Sequence, residues 1–229
     1  QLGIYSRKNI SYEKIAEFFK NIPDEIKLIC INLNTRNNKI PENFNIKWKT
    51  NLILNLNKPY EEIYKNYHRI RKRSIKKAID EGLEIFESND IDAFLDFVRK
   101  NLPYNAKLST KQLQISKRLY AYLINENRLI LAICGHKKEK IGALAAIIAE
   151  NRITLSLFAS NKTGKEKNAP SLLIDYFIKK FSNKNIILDF AGSNIESIKY
   201  FFKTFEPIEI KYPVVYINKL PIFKILKKL

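Results

Sequence analysis

Between residues 128 and 160 the chain reads "RLILAICGHKKEKIGALAAIIAENRITLSLFAS", three apolar runs joined by two short charged turns. Each run is far too short to span a bilayer, and each is bounded by turn residues, so the three read as strands. Turns this short leave no room for a crossover helix, so consecutive strands must pair antiparallel, as a meander. Any fold open to this chain is built around that sheet.

Helices and further strands surround the meander. Ser11 caps a short helix reaching Asn21, with Ile15, Phe18, Phe19 and Ile22 on one side and Pro23 ending it. Residues 25–33 and 49–56 read as strands. "KPYEEIYKNYHRIRKRSIKKAIDEG" reads as one long helix between Pro59 and Gly82. Ile63, Tyr67, Ile70, Ser74 and Ala78 form its apolar stripe, and Lys65, Arg69, Lys72, Arg73 and Lys76 a basic one. Residues 83–88 form a strand, Asp90 caps the next helix, and Ser109 with Gln112 makes a capping box for the one after. Beyond the meander, "NKTGKEKNAP" reads as a basic loop leading into a helix with Pro170 at its first position. A buried strand over 186–190 follows, then a turn with Gly192 and a helix capped by Ser193 with Glu196. Ile198, Phe201, Phe202 and Phe205 make that helix's buried face, and a last strand and a basic tail close the chain.

The chain has 229 residues, enough for one large domain or two small ones, and its 45% hydrophobic content excludes wholesale disorder. Its 41 Lys+Arg against 23 Asp+Glu give a formal charge of +18. Such a field attracts polyanions: nucleic acid, acidic membrane surfaces or phosphate-rich cofactors. Lys, Asn and Ile are abundant throughout, so a purely compositional origin of the charge stays open. Cys30 and Cys134 each lie in an apolar run and read as buried free thiols; with no signal peptide in the first residues, this points to the cytoplasm. No Cys/His spacing suggests a metal site. "QLGIYS" reads as the middle of a strand and turn, so residues are expected before Gln1.

Helix, helix, antiparallel meander, basic loop, helix, strand, helix, strand is an order that resembles the GNAT acyltransferase fold. The resemblance implies a mixed α/β (α+β) architecture: a largely antiparallel central sheet flanked by helices. It also implies a splay after the meander's last strand and a pyrophosphate-binding loop at the following helix N-terminus. The position of a general-acid tyrosine in many GNAT enzymes falls on Phe201, with Tyr200 adjacent but directed elsewhere. Of the acyl-CoA loop pattern, "NKTGKE" keeps only the central Gly164, and Glu166 places a negative charge where a pyrophosphate would sit.

A second resemblance is to the Fem-type aminoacyltransferases. Arg71, Arg73, Ile75, Lys76, Lys77 and Ala78 carry the similarity to a strand-then-basic-helix segment of that group. Asp189, Phe190, Gly192, Ser193, Phe201, Phe202 and Phe205 are similar to its Asp-Phe-x-Gly-Ser and Phe-Phe signature, with Ala191 and Glu206 as departures. Fem-type proteins have two GNAT-like halves, so residues 1–55 resemble the remnant of a first half and residues 56–229 an acyltransferase half. The resemblance implies transfer of an aminoacyl group from tRNA to an amine on a peptide or cell-wall precursor, without a tightly bound cofactor. An acetyl-CoA-dependent N-acyltransferase and a non-catalytic basic binding protein are the alternatives.

The candidate residues follow. Asp189, at a strand end, is either a general base or a turn acceptor, and Tyr200 is the other candidate catalytic side chain. Arg69, Lys72, Arg73 and Lys76 either contact donor phosphates or form a solvated helix face. Lys162, Gly164 and Lys165, with Lys167, either grip a phosphate or belong to a polar mobile loop. Tyr104, Ser193 and Asn194 are candidates for lining the substrate channel.

Overall fold

The three apolar runs form β4 (Leu129–His136), β5 (Glu139–Ala149) and β6 (Arg152–Ser160), each antiparallel to the next. The structure is a computed structural model that describes residues 3–6, 10–37, 40, 44–103, 106–137, 139–191 and 194–220. By internal contacts the chain divides into two compact units, Leu52–Ile208 and Gln1–Asn51 with Glu209–Leu229. β2 (Asn45–Asn55) runs through the division.

In the larger unit β3 (Glu84–Ser88) pairs antiparallel with β4 at one edge. On the other side β7 (Ile187–Asp189) lies parallel to β6 and antiparallel to Ile53–Asn55 of β2. The strand order is therefore β2-β7-β6-β5-β4-β3. A bulge sets Ser156 and Leu157 of β6 opposite Ala145 alone. Alternation along β5 sends Leu144 and Ala146 to one face and Ala143 and Ala145 to the other. The first face is covered by α2 (Tyr60–Asn66), α3 (Arg69–Asp80), α7 (Ala169–Phe181) and α8 (Glu196–Lys203), with Leu173, Phe177, Phe190 and Phe205 fully buried between them. The second is covered by α4 (Ile91–Asn101) and α5 (Thr110–Asn125), through Phe94, Val98, Tyr120 and Leu123. Asp90 caps α4, and Ser109 with Gln112 forms the full capping box of α5.

In the smaller unit β1 (Leu28–Asn32) pairs antiparallel with β8 (Ile208–Asn218), and β8 neighbours β2. α1 (Tyr12–Lys20), capped by Ser11, buries Ile15 and Phe19 in a core with Leu33, Ile40 and Val215. Asn37, fully buried, bonds both the N–H and the C=O of Ile4, so one side chain stands in for a strand partner.

Four expectations are corrected. Cys30 is exposed, because β1 is an edge strand with one covered face; Cys134 is buried, and burial pushes its thiol up to about 12. The long basic helix is two helices. Tyr67 and His68 are extended between them, the His68 amide bonds the Thr204 carbonyl at 3.0 Å, and Tyr67 turns inward. The inward face of α3 is accordingly Arg71, Ile75 and Ala78, while Ile70 is exposed. The segment 161–170 is no loop: Lys162–Glu166 form a short helix, α6, whose N-cap Asn161 accepts from the Gly164 amide. α8 begins two residues later than a Ser193 cap would place it, with Ile195 as N-cap and no side-chain cap bond; Ser193 and Gly192 lie outside the described residues.

Candidate functional site

β6 and β7 share a register only from Arg152↔Ile187 to Thr154↔Asp189, yet β6 runs on to Ser160. The two strands part at Asp189, beside the bulge at Ser156–Leu157. Tyr120, buried under the bulge, hydrogen-bonds Ser156 Oγ at 2.9 Å. The Asp189 carboxylate, 8% exposed, takes Arg152 Nη1 at 2.6 Å on one oxygen and the Ala191 amide at 3.0 Å on the other. Asp189 thereby fixes the turn at the parting point, with Ala191 held at φ 46°. An alanine in the left-handed region costs roughly 1–2 kcal/mol, and the carboxylate–amide bond helps to hold it there.

The cations of α3 differ in exposure. Arg69, Arg73 and Lys76 are exposed on one side of the helix. Lys72, half-buried, donates to the Lys65 carbonyl at 2.7 Å. Arg71 is inward and only 6% exposed. Its Nε donates to Thr204 Oγ1 at 2.9 Å, its Nη1 donates to Ser171 Oγ, and its guanidinium carbon lies 4.1 Å from the Phe201 ring centroid and 4.8 Å from that of Phe205. Burial lowers its pKa to about 10, which leaves it charged at neutral pH. Stacking on desolvated rings offsets part of the burial cost, by about 2 kcal/mol.

One turn along α7 from Ser171 stands Asp175, 5% exposed. Tyr60 and Tyr67, from the two ends of α2, donate to its two oxygens at 2.8 and 3.1 Å. Burial raises the Asp175 pKa, and the two hydroxyl donors work against that rise. Both tyrosine hydroxyls are pushed well above their ordinary value, chiefly by burial and then by the neighbouring carboxylate. None of these roles follows from the basic or apolar stripes, but a signal was present. Ser171 and Asp175 interrupt an otherwise apolar face of α7 at a spacing of four, which puts two polar groups side by side in the core.

The 161–168 segment is closed. Gly164 is buried, and a Cβ there would stand 2.0 Å from the Ile141 carbonyl oxygen. The amides of Gly164, Lys165 and Lys167 bond Asn161 Oδ1, the Asn161 carbonyl and the Thr163 carbonyl. Lys162 and Lys165 flank this packed glycine on α6, and Lys167 is engaged by Glu81 at 2.7 Å. Ala169, the first residue of α7, is fully buried. Tyr200 points away from the core at 70% exposure, and Asn194 is exposed in the turn before α8. Tyr104 and Ser193 lie outside the described residues. Among the described residues no group of His, Cys, Asp and Glu side chains could hold a metal ion, and no helix is long and apolar enough to cross a membrane.

No family model matches the sequence, and no curated protein matches it. Solved structures do match. FemX superposes over 78% of this chain and 64% of its own, with a TM-score of 0.62 at 10% identity. A conserved protein of unknown function from Bacteroides thetaiotaomicron superposes over 89% of this chain and 66% of its own, at TM-score 0.54 and 12% identity. A functionally unknown conserved protein from Staphylococcus epidermidis covers 90% of this chain and 78% of its own, at TM-score 0.51 and 14% identity. At such identities the likeness is one of fold, and the fold is the Fem-type, GNAT-like one. The chain spans just under two thirds of FemX.

Proposed function

We propose that this chain belongs to an acyltransferase that moves an aminoacyl group from a tRNA ester to an amine. The observation that carries the reading is the closed 161–168 segment on a fold shared with FemX. A donor held by its pyrophosphate needs free amides and room at that place, whereas here the amides of Gly164, Lys165 and Lys167 are bonded and the glycine is packed against Ile141. A donor held by a polynucleotide backbone needs an exposed basic face, which Arg69, Arg73 and Lys76 supply. Transfer forms a C–N bond to the acceptor and breaks the C–O bond to the ribose; the nitrogen gives up a proton and the alkoxide takes one. The protein's share is to hold amine and ester in line and to stabilise the charge on the carbonyl oxygen.

In this reading Asp189 and Arg152 set the mouth of the β6–β7 parting, where an extended donor end would enter. Asp189 would take the amine proton beside the two donors it already holds, Arg152 and the Ala191 amide. Tyr200 serves only a ligand that covers the outer side of α8. The acceptor is a peptide amine or a small amine, and the setting is the cytoplasm.

Thermal shift and titration with aminoacyl-tRNA and with acetyl-CoA test the proposal. Neutralising three phosphates should weaken tRNA binding by roughly tens-fold between about 50 and about 200 mM salt. Arg73→Glu should weaken it further, and acetyl-CoA should leave the melting temperature unmoved. Stabilisation by acetyl-CoA would overturn the donor assignment. Salt-sensitive tRNA binding without aminoacyl transfer to any amine would reduce the protein to a binder.

A further inference from the structure

α5 has a second apolar face that the core does not use. Its inward side is Leu113, Tyr120, Leu123 and Ile124, packed on the sheet and α4. Ile115, Leu119 and Tyr122 follow at steps of four and three, so they line one outward stripe. Their exposures are 55%, 46% and 60%, high for three large apolar side chains in one row. Lys111 and Arg118 stand beside the stripe, both exposed. Lys117, on the flank toward α4, is already paired with Asp92 at 2.6 Å. α5 contains no acidic residue; Glu126 follows as its C-cap.

We propose that this face of α5 docks on an anionic phospholipid surface. Two observations select that occupant. The stripe is apolar with an aromatic hydroxyl, which a phosphate backbone cannot reward and an interfacial layer can. Its rim is cationic without a carboxylate on the helix, and the whole chain carries +18, so the complementary surface is negative. Lys111 and Arg118 can lay their stems along the stripe and place their charges among headgroups. α5, 16 residues long, lies along the surface and does not cross it.

Overall charge alone would draw this protein to acidic vesicles, so the test must separate the stripe from the charge. The whole chain is sedimented with phosphatidylcholine vesicles and with vesicles containing phosphatidylglycerol. The Ile115→Gln/Leu119→Gln variant keeps helix propensity and charge, Arg118→Glu reverses one rim charge, and Lys49→Glu makes the same charge change on exposed β2. The proposal expects binding to the phosphatidylglycerol vesicles only. It expects about a tenfold loss for the glutamine pair and a comparable loss for Arg118→Glu, with little change for Lys49→Glu and unchanged melting temperatures. Binding by the glutamine pair at the wild-type level would overturn it, leaving unspecific charge attraction. No binding of the wild type to phosphatidylglycerol vesicles would overturn it as well, whatever the outcome with tRNA.

Discussion

The two helical layers of the larger unit cover opposite faces of one sheet and are fastened in different ways. On the α4/α5 side the contacts are Phe94, Leu95, Val98, Tyr120 and Leu123 against strand residues, with the Tyr120–Ser156 bond as a polar addition. On the other side apolar packing is crossed by two polar bolts one turn apart on α7, Ser171 with Arg71 and Asp175 with Tyr60 and Tyr67. Apolar packing tolerates a change of rotamer or a lost methylene at modest cost; a buried guanidinium or carboxylate tolerates only one geometry. The bolted layer is also the one that presents the basic face of α3 and borders the β6–β7 parting. Rigidity is therefore concentrated where the proposed donor would be held.

The sharpest way to break this contrast is Arg71→Ala. It leaves two buried hydroxyls without their donor and a void between Phe201 and Phe205, and should cost about 3 kcal/mol, read as a drop in melting temperature of roughly 6–12 °C. Gly164→Ala tests the same layer from its rim. A methyl 2.0 Å from the Ile141 carbonyl forces α6 away from β5, at about 2 kcal/mol in denaturant titration. Phe94→Leu, the corresponding change on the α4/α5 side, should cost about 1 kcal/mol; a cost equal to that of Arg71→Ala would erase the contrast. The remaining test is one of slope. The folded Asp175 has a raised pKa, so the stability of its protonated form is fully present below its ordinary value of 3.8 and is lost as pH rises through the folded value. The stability difference between Asp175→Asn and wild type should therefore move in the variant's favour as pH rises from the ordinary value of 3.8 to the raised folded value. A flat difference would mean that the two tyrosines compensate burial completely.

What the sequence discloses and what it hides divide along the same line. The meander, the Asp90 cap and the Ser109–Gln112 capping box depend on neighbours in sequence, and all were legible. The break at Tyr67–His68 was not, because its causes are Asp175 and the Thr204 carbonyl, more than a hundred positions away. Nor was the burial of Arg71 legible, since one guanidinium in a basic run looks like its neighbours until α7 and α8 are packed against it. The 161–168 segment has the Gly, Lys and Asn content of a loop, and only contact with Ile141 makes its glycine a packing residue. Of the candidate site, Asp189 and the α3 cations were named from the sequence, while Arg152, Asp175, Tyr60 and Tyr67 came from the structure.

The smaller unit is assembled from two stretches separated by the whole of the larger one. Among the described residues β1 pairs with β8 alone, with Leu28 opposite Asn218. In a chain emerging from a ribosome the larger unit is made between β1 and its partner β8. Synthesis thus imposes an order of pairing: the β1–β8 ladder closes only after the whole of the larger unit has been made.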